Sequence, residues 1–283
     1  MPPVFWFILL AVIAIFITTF TIYKKRSVTE LSSYLVFYLF ATSLSWIGEF
    51  IVLGFFNSYA YNIGVFANPW LQNLFAHLIL NSFFWPGTAV LVAAYSLGFG
   101  WITLIAIVYM IIEYLFLVFG LYEHHWWRIY MTGITVVIFL TISRVWFARM
   151  NQIRQGYTRI VTLYFAALVI IHIPTPLLLL LGKQYYIMKL APDMYLSSII
   201  FILSYQMVET AIIVFFISVL KNWYWKLAPF VISIAGQYTL AKMGILVIQD
   251  GWNLTYSLVL YAVTLTAIIL VEQYTLKPKE CDS

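Results

Sequence analysis

Nine runs of about 20 largely apolar residues succeed one another along this chain, each with at most one Asp, Glu, Lys or Arg inside it. They cover 3–23, 31–56, 72–95, 99–121, 129–147, 159–181, 194–220, 227–248 and 253–273. A helix of that length crosses the hydrocarbon core of a bilayer, where only helices and closed barrels satisfy their own backbone. Charged residues make up 9% of the chain and mean hydropathy is +0.96, whereas soluble domains carry about 25% charged residues. So few charges cannot clothe a water-facing surface. The runs therefore predict an all-α fold, a polytopic transmembrane helical bundle of about nine spans in the cell membrane, with the lipid bilayer as its first partner.

The breaks between runs carry loop chemistry, among them KKRSVTE, NIGVFANPW, YEHHWWR and GKQYYIMKLAPD. With the N-terminus outside, the inner loops and ends hold Lys24, Lys25, Arg26, Arg144, Arg149, Arg154, Arg159, Lys221, Lys226, Lys277 and Lys279. The outer loops then hold Arg128, Lys183 and Lys189. Cytoplasmic loops carry the excess of basic residues, so this asymmetry predicts an external N-terminus and a cytosolic C-terminus. The first run has no basic residue before it and no small-residue cleavage pattern after it, and reads as a retained span. The single cysteine, Cys281, excludes a disulfide framework. The basic residues gather on one membrane side, so no nucleic-acid partner is expected. P-loop, GxGxxG, HExxH and GxSxG patterns are missing from the sequence, and neither a cofactor nor a metal is expected.

The stretch EYLFLVFGLYEHHWW, from Glu113, has an echo in QYTLAKMGILVIQDGW, from Gln237. Glu113 aligns with Gln237, Tyr114 with Tyr238, Gly120 with Gly244 and Trp127 with Trp252. The two copies lie 124 to 125 residues apart (Glu113 to Gln237, Trp127 to Trp252). A shift of 128 brings His77 onto Tyr205 and Asn81 onto Glu209. The expected organisation is one integral membrane domain, 1–283. It comprises a first span and basic loop (1–30), a four-span repeat (31–158) and a second four-span repeat with a short tail (159–283). An even number of spans points both copies the same way, related by an axis along the membrane normal.

The segments IEYLFLVFGLYEHHWWRIYMTGI and MGILVIQDGWNLTYSLVLY resemble a motif in a family of uncharacterised small polytopic membrane proteins of spore-forming Gram-positive bacteria. There, a Glu-Tyr pair in one helix precedes a glycine and a His/Trp-containing outer loop. Each repeat's last two spans carry the resemblance. The second copy has Gln237 for Glu113 and lacks the histidine pair. The resemblance implies no known activity.

Glu113 lies about eight residues, roughly 12 Å at 1.5 Å per residue, inside the outer end of its run. Asn81, Glu209 and Gln237 fall at similar depth. A central carboxylate costs about 3 kcal/mol on insertion scales and must face protein or a wet cavity. Each copy offers one acid and one amide, so each is expected to close an acid–amide contact. The bland alternative is packing glue, worth about 0.6 kcal/mol per polar contact. Glu113's expected partners are Asn81, His77, Glu209 and Gln237. Glu49 either reaches a water-filled outer vestibule or pairs with His77 or His172. His172 precedes Pro174 and Pro176, which should kink the sixth span. His124 and His125, beside Trp126 and Trp127, read as an interface-anchoring loop and not as a metal site.

The favoured function is binding or translocation of a small solute or cation through a polar mid-membrane site built from Glu113, Glu209, Asn81, Gln237, His77, Glu49 and His172. The alternatives are a membrane-embedded enzyme acting on a lipid, with Glu49, His77, Glu113 and His172 as acid–base groups, and a non-catalytic receptor or assembly subunit. A deep outward-open polar cavity favours the first. An opening toward lipid beside Glu and His favours the second, and a dry closed bundle the third.

Overall fold

The computed structural model describes residues 1–152, 156–220 and 222–276. Arg154, Lys221, Lys277 and Lys279, counted above as cytosolic, lie outside the described residues, as does Cys281. Among the described residues, eight helices are long and apolar enough to cross a membrane, and the fold is an all-α polytopic bundle. The chain forms two compact units, Met1–Ile153 and Arg154–Ser283.

Unit 1 contains α1 (Val4–Lys25), α2 (Leu31–Glu49), α3 (Pro69–Ile79), α4 (Trp85–Ala94), α5 (Phe99–Val118) and α6 (Ile129–Gln152). Two of its spans change winding midway. α2 continues as a π-helical stretch, Phe50–Phe55, and a second π stretch, Leu80–Phe84, joins α3 to α4. α1 packs on α4 at one close approach, where Gly87 lies so near Ala14 and Thr18 that an added Cβ would stand 2.6 Å from Thr18 Oγ1. Toward the start of α2 and the end of α6, the two helices close on each other through paired rings. Phe40 and Trp146 have centroids 5.0 Å apart, and Phe37 and Phe147 are 4.7 Å apart.

Unit 2 contains α7 (Gly156–His172), α8 (Pro174–Leu180), α9 (Met194–Val214), α10 (Ala228–Lys242) and α11 (Leu254–Thr275). The helix break between α7 and α8 falls at Ile173, immediately before Pro174, where the missing N–H and the ring disrupt the helix as expected. The run expected to span at 227–248 forms only the 15 residues of α10. Gly244, at φ +69°, takes the chain out of helix, and the residues after it pair as a strand. Glu272, buried near the end of α11, receives Arg159 and Lys226, the latter at 3.2 Å. Those basic groups thus neutralise a buried acid.

Four three-residue strands lie in the loops. β1 (Tyr59–Tyr61) pairs antiparallel with β2 (Tyr122–His124), with Tyr59 opposite His124 and Tyr61 opposite Tyr122. β3 (Gln184–Tyr186) pairs antiparallel with β4 (Leu246–Ile248). Each pair ties together two loops far apart in sequence, within one unit.

A carboxylate-lined cavity in unit 1 is the candidate functional site

Unit 1 encloses a cavity of about 260 Å³. Its floor and walls come from α2, α4, α5, α6 and the π stretch Leu80–Phe84, and its roof from β1, β2 and Trp127. Both π stretches adjoin it: Glu49 is the last residue of α2 before one, and Asn81 lies inside the other. Single π turns inside α-helices recur at functional sites because the extra residue redirects side chains and frees backbone groups.

Two carboxylates, Glu49 and Glu113, line the cavity, and among the described residues no Lys or Arg does. Tyr59 Oη donates to Glu49 Oε2 at 2.6 Å and Tyr61 Oη to Oε1 at 3.0 Å. Alternate residues of a strand share a face, so two phenols from β1 reach one carboxylate. The backbone N–H of Tyr61 donates to Asn73 Oδ1 at 2.7 Å, which pins β1 to α3. Tyr59, Tyr61 and Tyr122 pack ring against ring, with centroids 4.9 to 5.6 Å apart. Burial first, and then the neighbouring Glu49 carboxylate, pushes the Tyr59 and Tyr61 phenols well above their ordinary pKa. They therefore remain hydrogen-bond donors.

Glu113 Oε1 accepts from His124 Nε2 at 2.6 Å, and Thr132 also faces the carboxyl. Neither belongs to the expected set of Asn81, His77, Glu209 and Gln237. α5 ends at Val118, five residues after Glu113, so the carboxyl lies roughly 8 Å below the helix end, shallower than the sequence reading had it. Gly120, at φ +66°, reverses the chain, and β2 returns over the same helix end. His124 thus comes back to the residue it follows. The loop read as an interface anchor supplies the partner, and the Glu-to-His spacing alone carried no signal of it.

Asn81 Oδ1 accepts a hydrogen bond from Ser45, while Asn81 Nδ2 donates to His77 Nδ1 at 3.2 Å. His77 stands behind Asn81 and does not line the cavity. Glu49 is bonded by Tyr59 and Tyr61. In unit 2, His172 Nδ1 donates to Gln206 Oε1 at 2.6 Å, and Gln206 Nε2 reaches Thr175 Oγ1 at 2.8 Å. Gln206, passed over as a site residue by the sequence reading, is the hub of the polar contacts there. Tyr186 Oη donates to Gln237 Oε1 at 3.4 Å. Glu209 is buried with Ser233 in reach, yet neither of its oxygens accepts a well-formed hydrogen bond among the described residues. The expected acid–amide contacts, Asn81 with Glu113 and Glu209 with Gln237, are absent among the described residues. The seven expected site residues therefore separate. Glu49, Glu113 and Asn81 share the unit 1 cavity, with His77 behind them, while Glu209, Gln237 and His172 belong to unit 2.

Several local arrangements occur in both units. Asn68 caps α3 through Trp70 N and Leu71 N, and Asp193 caps α9 through Tyr195 N and Leu196 N. Tyr61 N bonds Asn73, and Tyr186 N bonds Ser198. Trp127 Nε1 donates to Thr132 Oγ1 at 2.7 Å and Trp252 Nε1 to Ser257 Oγ at 2.9 Å. Matched on these caps and strands, Gln206 and not Glu209 takes the place of Asn81, because the caps hold the same spacing as Trp127 to Trp252 and not the shift of 128.

No protein-family model, curated protein or solved structure matches this chain. The fold defines a multi-pass membrane protein.

Proposed function

We propose that unit 1 binds a small cationic solute within the membrane and passes it across. The observation that carries this reading is the pair of buried carboxylates, Glu49 and Glu113, on a cavity lined, among the described residues, by no Lys or Arg. Removing a carboxylate from water is costly unless a cation or strong donors face it. The phenols and His124 supply donors on the roof side, and Trp85, Tyr109, Phe116 and Trp127 add aromatic rings among the aliphatic side chains of the remaining lining. Aromatic faces attract cations.

The reading extends to the chain's setting and history. The protein lies in the cell membrane with its N-terminus outside, on the basic asymmetry of its loops. Its two units descend from one duplicated four-span unit, a view supported by the recurring caps, strand pairs and Trp–hydroxyl bonds. It groups with the small membrane proteins of spore-forming Gram-positive bacteria on the Glu-Tyr, Gly and His/Trp-loop motif. A second reading, an enzyme acting on a lipid, is supported by the Glu113–His124 pair beside the cavity.

The test is equilibrium binding to the full-length protein in nanodiscs. Ammonium and methylated ammonium ions should bind, and neutral isosteres should not. Glu49→Gln and Glu113→Gln should each weaken cation binding about tenfold, a loss of ~1.4 kcal/mol. Equal binding of neutral and cationic probes, unaffected by either variant, would sink the reading. Turnover of a lipid by the wild-type protein, lost in Glu113→Gln, would favour the enzyme instead.

A further inference from the structure

The cavity has a roof, a floor and one open side. Its roof is stitched down, because Trp126 Nε1 donates to Phe56 O at 2.8 Å, His125 Nδ1 meets Asn57 O at 2.7 Å, and three successive N–H groups, of His125, Trp126 and Trp127, converge on Ser58 O. Toward the start of α2, the α2–α6 seam is shut by the Phe40–Trp146 and Phe37–Phe147 ring pairs. Between these closures, only three cavity-lining residues are exposed: Gly48 on α2, and Ile138 and Ile142 on α6. Ile138 is 55% and Ile142 43% exposed. All three lie within the spans Leu31–Phe55 and Ile129–Gln152, away from either end. An added Cβ at Gly48 would meet nothing within 4 Å, so the gap beside it is real space. The mouth therefore faces sideways at bilayer depth, and not outward as the solute reading had expected; beside Glu113 and His124, such an opening is the one expected of the lipid-enzyme reading.

We propose that the ligand is an alkylammonium amphiphile that reaches the cavity from the bilayer through the gap between α2 and α6, seating its ammonium group between Glu49 and Glu113 while its chain lies in the gap. This rests on the cation-binding reading above. The chemistry matches at each end. Two carboxylates and a wall of Tyr, Trp and Phe rings suit an ammonium head. Exposed isoleucines and a glycine-lined notch suit an alkyl chain that remains in contact with lipid. A hydrophilic cation arriving from water would have to pass a roof held by these bonds or cross lipid to reach the mouth.

The experiment compares tetramethylammonium with dodecyltrimethylammonium, by equilibrium binding to the full-length protein in nanodiscs. It uses wild type and two variants on opposite edges of the gap, Gly48→Leu and Ile138→Trp. Each variant is first checked for an unchanged thermal midpoint, and either one that passes suffices. The expected result is that a variant weakens dodecyltrimethylammonium about tenfold and leaves tetramethylammonium within about twofold. Partitioning of the amphiphile into lipid is the same for every variant and cannot produce that difference. If both ligands bind wild type and the variants weaken both alike, or neither, the sideways route is overturned while cation binding stands. If neither ligand binds wild type, the cation reading fails and the route with it.

Discussion

Glu113 and His124, eleven residues apart, are joined by a 2.6 Å hydrogen bond because the chain doubles back over the end of the helix that carries the glutamate. The bond couples the loop after α5 to the cavity. His124 belongs to β2, and β2 is held to β1, whose tyrosines hold Glu49. Both carboxylates are thus positioned by one two-stranded roof.

The bond makes a sharp mutational distinction. Glu113→Gln keeps an acceptor for His124 and should fold with a stability loss under about 1 kcal/mol, whereas Glu113→Leu leaves buried donors unmet and should cost about 1–3 kcal/mol. A double-mutant cycle with His124→Ala should show coupling of about 0.5–3 kcal/mol. Additive single effects in reversible thermal unfolding would show that the pair does not interact in the native protein.

Glu49 depends on two phenols. Tyr59→Phe and Tyr61→Phe each remove one donor and little volume. Hydrogen bonds to charged groups are worth about 1.5–3 kcal/mol, so each change should lower stability by an amount in that range. The double variant should also weaken cation binding in the nanodisc assay, by letting the carboxylate turn away. Unchanged stability in both single variants would show that the roof does not hold Glu49.

In unit 2, Glu209 is buried and its oxygens lack well-formed hydrogen bonds among the described residues. Apolar replacement of an unsatisfied buried polar group is neutral or stabilising. Glu209→Met should therefore leave the thermal midpoint unchanged or raise it. A destabilisation of about 3 kcal/mol, the range seen when a buried pair is broken, would reveal a partner that the described residues do not show.

Gly120 and Gly244 both adopt positive φ, +66° and +69°, with open space where a Cβ would stand. Only backbone strain opposes a side chain there. Gly120→Ala and Gly244→Ala should each cost about 1–2 kcal/mol, by similar amounts in the two units. A large cost at one glycine and none at the other would argue that the two reversals are not equivalent, and would weaken the case for duplication.

Reporter fusions test sidedness. Fusions after Ala60, His125 and Tyr185 should read as external, and those after Arg26, Gln152 and Trp223 as cytosolic. A cytosolic signal after His125 would reverse the roof of the cavity and contradict the basic asymmetry.

The sequence by itself determined what depends on local chemistry and on length. Apolar runs long enough for the bilayer specified the helices, and Pro174 marked the break at Ile173. Helix termini were harder to read, because apolar composition continues through Leu121 and Ile248 although helix stops at Val118 and Lys242. Positive-φ glycines end those helices, and short strands follow at Tyr122–His124 and Leu246–Ile248. Tertiary structure alone decided the partners. Tyr61 and Tyr122 are brought together by a strand pair between separate loops, and a hydropathy pattern contains nothing about which loop meets which. That pairing delivers two tyrosines to Glu49 and a histidine to Glu113, and it leaves Glu209 and Gln237 in a different unit from the acid they were expected to join. Which residues lie within helices long enough to span was written in the run lengths, although Glu113 lies nearer its helix end than its run implied. Proximity was not, because it arises when the folded chain brings together loops separated by roughly 60 residues, a long-range closure whose cost grows only slowly with separation and so leaves no local mark on the sequence.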